Sequence, residues 1–127
     1  MGFRLKTSRE TMEIFEYLKN RTNLQPFALS KIAIALSLKE EDSIESFEEK
    51  DTLGLELNRQ TIIGSYDEIF KSLIEQNLNR ELTDDEYYPQ YAKKHLDRGA
   101  IILKNQYDYN KNFAGLFQSL LLGSDGI

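Results

Sequence analysis

The first 39 residues constrain the fold of this chain more than any other stretch. Gly2-Phe3-Arg4-Leu5-Lys6-Thr7 alternates apolar and cationic side chains. As a strand it sets Phe3 and Leu5 on one face and Arg4 and Lys6 on the other. A helix start follows at Thr7 or Ser8. Thr7-Ser8-Arg9-Glu10 has the form of a capping box, in which the Thr7 hydroxyl accepts from an early N–H and Glu10 reaches back. Met12, Ile14, Phe15 and Leu18 then recur at helical spacing as one apolar stripe. Arg21-Thr22-Asn23-Leu24 ends this helix, because Asn23 tolerates the left-handed backbone that closes one. Gln25-Pro26 opens a second helix, with Pro26 preset for its first turn. That helix carries Leu29, Ile32, Ala33, Ile34, Leu36 and Leu38 and is apolar almost all round. It is expected deep in a core or against a partner chain.

Strand, helix, helix with a cationic outer strand face is the order found in ribbon-helix-helix DNA binders. Charge points the same way. Residues 1–39 hold seven Lys and Arg (Arg4, Lys6, Arg9, Lys19, Arg21, Lys31, Lys39) against three acids, a balance of +4. The remainder holds nine against eighteen, or −9, which gives the chain its net −5. A basic head on an acidic body suits phosphate contact through one end. It argues against general coating of nucleic acid, because the overall field repels phosphate. The competing interpretation is an ordinary amphipathic start with hydrated cations.

With 127 residues the chain is expected to form one domain with a real core. It has no cysteine, which excludes disulfides, thiolate metal sites and a cysteine nucleophile. No apolar run approaches the roughly 20 residues of a membrane span. The first residues lack the apolar core of a signal peptide, so a cytoplasmic location is expected.

Beyond the head, residues 40–51 form an acidic connector. Leu53, Leu55 and Leu57 alternate with polar residues, as in a half-buried strand that runs on toward Thr61-Ile62-Ile63 and stops at Gly64. A helix over about 66–76 is expected to turn Ile69, Phe70, Leu73 and Ile74 inward. Thr83-Asp84-Asp85-Glu86 is a second capping box. It opens a helix running to about Lys104, which Gly99 interrupts. A last helix spans about 112–122. The fold class is therefore mainly α with short β-strands: a ribbon-helix-helix-like head (1–39) and a packed helical body (52–122) in a single domain.

Catalytic chemistry has little support. The lone histidine, His95, has neither a serine in a nucleophile context nor a second histidine for a metal pair. No glycine-rich phosphate loop is present. The acidic connector shows no calcium-loop spacing, and adjacency in sequence does not make carboxylates converge. No catalytic residue, metal or cofactor is assigned. Lys93, Lys94, Arg98 and Lys104 either pair with Asp84, Asp85, Glu86 and Asp97 on a helix surface or extend the basic head. Arg59 stands alone between two strand-like pieces. The seven tyrosines fall mostly at helical spacing, as core and interface residues do.

Several segments in order carry a further signal. They are Arg4-Leu5-Lys6-Thr7-Ser8, the run from Leu18 to Pro26, Ile32-Ala33-Ile34-Ala35-Leu36-Ser37-Leu38, the run from Leu57 to Gly64, and His95-Leu96-Asp97-Arg98-Gly99. Together they resemble the DNA sulfur modification protein DndE family. The resemblance implies a role in bacterial DNA phosphorothioation, a defence-linked modification in which sulfur replaces a non-bridging phosphate oxygen. It implies partners that carry the chemistry: a cysteine desulfurase, an iron–sulfur protein and an ATPase-like protein. It also implies a small accessory subunit that binds DNA, notably nicked duplex, as a homotetramer through lysines. A chain without cysteine fits, since it can neither carry persulfide nor hold a cluster through thiolates.

On this basis Arg4, Lys6, Lys19, Arg21 and Lys31 are expected at phosphate, followed by Arg59 and Arg98. A sequence-specific ribbon-helix-helix regulator, a recruitment module that never touches DNA, and a nuclease using Glu48 and Asp51 are the alternatives.

Overall fold

The computed structural model describes residues 4–62 and 64–110. The expected last helix lies outside them. Strand β1 (Arg4–Lys6) buries Leu5 and exposes Arg4 and Lys6, as the alternation requires. Its partner is β2 (Glu56–Asn58), antiparallel, with Arg4 opposite Asn58, Leu5 opposite Leu57 and Lys6 opposite Glu56. Leu5 and Leu57 therefore share the buried face. The ribbon is thus made within one chain. The strand does not continue to Ile62-Ile63. The chain turns into the short helix α3 (Arg59–Ile62) because the Asn58 side chain accepts the Gln60 N–H at 2.8 Å and so starts a turn.

Helix α1 (Arg9–Thr22) is capped by Ser8, whose hydroxyl accepts the Thr11 N–H at 3.0 Å. Thr7 is not the cap. Its hydroxyl accepts the Leu55 N–H at 2.8 Å and donates to the Ser8 carbonyl at 2.9 Å, which holds β1 beside the segment leading into β2. Asn23 closes the helix with φ 66°, and Pro26 opens α2 (Pro26–Leu38).

Helix α2 buries Leu29, Ser30, Ala33, Ile34, Leu36 and Ser37, chiefly against α6 (Lys93–Asn110). Its apolar surface is thus answered largely inside the chain. Gly99 does not interrupt α6; it permits the contact. A Cβ there would stand 1.7 Å from the Ala33 carbonyl oxygen, so only glycine lets the two backbones approach this closely. On α6, Leu96, Ala100, Leu103 and Tyr107 form the buried stripe.

Helix α4 (Asp67–Leu78) buries Ile74, half-buries Phe70 and Leu78, and ends at Asn79 with φ 68°. Ile69 and Leu73, expected inward, are 56% and 43% exposed. The inward face is set by the four-residue steps 70, 74, 78, and Ile69 and Leu73 fall outside it. Thr83 and Glu86 complete the capping box of α5 (Asp84–Glu86): Thr83 Oγ1 accepts the Glu86 N–H at 3.2 Å, and Glu86 Oε1 accepts the Thr83 N–H at 2.9 Å. A π-helical segment (Tyr87–Ala92) joins α5 to α6 and buries Tyr87, Tyr88 and Tyr91. Pro89 lies within it and has no N–H to give to a regular ladder. No described helix is long and apolar enough to cross a membrane.

Candidate nucleic-acid interface

The cations of the head face solvent. Arg4 and Lys6 stand on the outer face of β1. Arg4 Nη1 meets Glu56 Oε2 at 2.8 Å with both side chains well exposed, an ion pair of small net worth. That hydrogen bond, with the Arg4 charge, holds the Glu56 carboxyl below its usual range. Lys6 takes no hydrogen bond or ion pair among the described residues. Lys19 is likewise without one, exposed in the last turn of α1. Arg21, in the same turn, lays its guanidinium over the Tyr17 ring at 3.8 Å and donates to the Tyr17 carbonyl at 3.2 Å. Lys31 is half-buried, with Nζ 5.9 Å from the Phe27 ring and 5.8 Å from the Tyr66 ring. These residues do not make one unbroken basic stripe. Glu10, Glu13 and Glu16 lie exposed on α1 between Arg9 and Lys19.

The cations of the body behave differently. Arg59 grips Asp67 through Nε at 2.8 Å and Nη2, and it also reaches Asp84 at 3.5 Å. This fork raises the Arg59 guanidinium above its ordinary value and lowers the Asp67 carboxyl. A phosphate there competes with a carboxylate already in place. The structure puts Arg98 in the interior. It gives Nε to Ser37 Oγ (2.8 Å), Nη2 to the Ser37 carbonyl (2.7 Å) and Nη1 to the Asp42 carbonyl (2.9 Å). Arg98 therefore closes the carboxyl end of α2, where the helix dipole favours a cation. His95 is buried beside it, with Nδ1 2.8 Å from Ser37 Oγ. Burial first, then the Arg98 charge, pushes His95 down to about 3, so the ring stays neutral at neutral pH.

Lys93 and Asp97 do pair, but inside the protein and not on a helix surface: Nζ meets Oδ2 at 2.6 Å with 3% and 2% of the side chains exposed. Asp97 Oδ1 also accepts the Ser8 N–H (3.2 Å) and the Thr11 hydroxyl (2.6 Å). This carboxylate thus ties α6 to the start of α1. The acidic connector contributes similar ties. Asp51 accepts the Arg9 and Leu53 N–H groups at 2.9 Å each, and Glu45 accepts the Tyr91 hydroxyl at 2.9 Å. Among the described residues no cluster of His, Asp or Glu could hold a metal ion. Glu48 and Asp51, the residues of the nuclease alternative, are part of no such cluster.

The residue reading missed the role of Asp97 and the meeting of Tyr17, Arg21, Lys104 and Asp108 where α1 packs on α6. The four-residue spacings 17/21, 93/97 and 104/108 were the available signal. What they could not show is that the two helices touch.

No curated protein matches the chain. Among solved structures, DndE from Escherichia coli B7A, described as involved in DNA phosphorothioation modification, is 22% identical with a TM-score of 0.63. That alignment covers 77% of this chain and 94% of that one. A DndE variant with two glycines replaced by lysine is 20% identical with a TM-score of 0.62, covering 81% of this chain and 97% of that one. The fold is therefore the fold of those proteins. The family described as DNA sulphur modification protein DndE matches residues 4–111. With most of its length matched in this way, the chain belongs to the DndE family of DNA sulphur modification proteins.

Proposed function

We propose that this chain is an accessory, non-enzymatic subunit of a bacterial phosphorothioation system that holds DNA by its backbone. The observation that carries this reading is the contrast in cation use within a DndE family member. Lys6 and Lys19 are exposed with no hydrogen bond or ion pair among the described residues, and Arg4 and Arg21 are exposed with weak partners. Such groups stay hydrated and free to exchange counterions for phosphate. Arg4, Lys6, Lys19, Arg21 and Lys31 are the phosphate contacts of this reading. Arg59 contributes only by releasing Asp67, and Arg98 supports the fold. Recognition is of duplex backbone, intact or nicked, with sequence read little. The chemistry belongs to the ATPase-like and iron–sulfur partners, in the cytoplasm.

The chain acts as a homo-oligomer, a tetramer by the family resemblance. Helix α2 is largely covered by α6, so the surface for a second copy lies elsewhere. Tyr66, Ile69 and Leu73 form an outward apolar stripe on and just before α4, 55%, 56% and 43% exposed. Lys31 joins this stripe to Phe27, itself 45% exposed. A contiguous exposed patch of this kind marks an interaction surface.

A salt titration on random-sequence intact and nicked duplexes, with mass by light scattering, tests the reading. Affinity should fall steeply with salt, at a log–log slope of roughly −0.9 per phosphate contacted. Random competitor should compete fully. Absence of binding at low salt would move the function to protein recruitment, and a marked preference for one palindrome would favour a regulator.

A further inference from the structure

The junction of α1 and α6 holds a cleft of about 350 Å³ lined by Tyr17, Arg21, Tyr107 and Asp108. Tyr17 and Tyr107 meet edge to face, with centroids 6.2 Å apart. Arg21 covers the Tyr17 ring at 3.8 Å with its guanidinium. Asp108 Oδ1 accepts the Tyr17 hydroxyl at 2.6 Å, and Oδ2 accepts Lys104 Nζ at 2.7 Å. Each of these oxygens has a second lone pair, so the carboxylate has capacity for two more hydrogen bonds. The cleft thus offers aromatic surface, a flat guanidinium and an acceptor-only edge.

That combination selects its ligand by chemistry. A phosphate or carboxylate can meet Arg21 and Lys104, but it carries no donor for the Asp108 carboxylate. An aliphatic group makes no use of the remaining acceptor capacity of Asp108. A flat heteroaromatic ring with two adjacent N–H donors satisfies every wall. Among nucleobases only guanine carries such a pair, N1–H with the N2 amino group, on its Watson–Crick edge. Adenine and cytosine place one donor beside an acceptor, and thymine one donor between two acceptors. The guanine pair is free only when the base is unpaired. A ring face can then stack on the outer side of the Arg21 guanidinium, which itself lies on Tyr17.

We infer that the Tyr17–Asp108 cleft binds an unpaired guanine base, with N1–H and N2–H donated to the Asp108 carboxylate and the ring stacked on the Tyr17–Arg21 surface. Lys104 and Tyr17 keep Asp108 ionised, well below the usual carboxylate range, so the acceptor edge persists at neutral pH. Arg21 belongs both to this cleft and to the cations of the head, so a base lodged here continues the backbone surface. For a base presented by DNA, the inference rests on the DNA-binding reading; for a free guanine nucleotide it does not.

The test uses the full chain in two arms. In the first, dGMP, dAMP, dCMP and dTMP are titrated against tyrosine fluorescence. In the second, a random duplex with one extrahelical guanine is compared with its fully paired counterpart and with an extrahelical adenine. The expected result is a preference for guanine of about tenfold in both arms. Asp108→Asn should remove the preference while leaving fully paired duplex binding in place, and Arg21→Ala should weaken all four nucleotides. Asp108 is partly exposed, so the variant should keep its circular dichroism and melting temperature.

Duplex binding without guanine preference in either arm would overturn the cleft and leave the DNA reading standing. Selective dGMP binding with no duplex binding would overturn the DNA reading and keep the cleft, with a free nucleotide as its ligand. Failure of both arms would overturn both.

Discussion

The head and the body of this protein use the same two residue types in opposite ways. In the head, Lys6 and Lys19 stand in water with no hydrogen bond or ion pair among the described residues, and Arg4 and Arg21 make contacts that solvent can replace. In the body, Arg59 is clasped by Asp67, Lys93 is buried on Asp97, and Arg98 is absorbed by the end of α2. The difference follows from where each side chain leaves the backbone. A cation drawn out of water loses several kcal/mol of hydration unless acceptors replace it, so the interior assigns each one a fixed set. A cation left on the surface keeps its water and remains available. Net charge therefore understates what the head can do, since much of the body's charge is matched at short range.

The largest test of this contrast is Asp97→Ala. It strips a buried Lys93 of its carboxylate and leaves the Ser8 N–H and Thr11 hydroxyl without their acceptor. A loss of about 3–5 kcal/mol is expected in urea unfolding. A loss under about 1 kcal/mol would show that the pair is not the joint between α6 and α1.

Charge reversal in the head should do the reverse. Lys19→Glu with Arg21→Glu should lower duplex affinity by about a hundredfold at low salt. Unfolding should stay within about 0.5 kcal/mol of the parent. Unchanged affinity would remove this surface from the interface.

His95 supplies a pH test of the interior. Its folded value, about 3, lies below the ordinary 6.5, so the unfolded chain binds the proton more readily. Stability is then full above 6.5 and declines as pH falls below it. Between pH 7 and pH 5 the decline should reach about 2 kcal/mol, and His95→Asn should flatten it. Equal slopes in parent and variant would place the ring in contact with solvent.

The smallest effect belongs to Glu56→Gln. It frees Arg4 from a pair that is largely exposed. Stability should change by less than about 1 kcal/mol. Duplex affinity should rise slightly, seen as a steeper salt slope. A fall in affinity would assign Arg4 a structural role only.

Local chemistry was legible from the residues. The Leu5 face of β1, the left-handed Asn23, Pro26 at the start of α2 and the Thr83–Glu86 box all appear as read, because each depends on groups within a few residues. Errors arose where a distant segment competed. Thr7 lost its capping role because Leu55 claims its hydroxyl, and Ser8 took over. One error was local instead: the strand ended at Asn58 because that side chain accepts the Gln60 N–H and turns the backbone. The site divides the same way. The surplus of Lys and Arg in residues 1–39 is a property of composition. Which cations remain free is not, since Asp67 and Ser37 lie 8 and 61 residues from the arginines they bind.

By itself, then, the sequence determined the strand-helix-helix start, most helix ends and the asymmetry of charge, since propensity, capping and ionisation act over one turn of chain. Only the tertiary structure decided that α2 is matched by α6 at Gly99, that Arg98 and Lys93 are interior, and that Tyr17 and Asp108 share a cleft. Each of these depends on backbones brought together across dozens of residues, where packing and desolvation outweigh local preference.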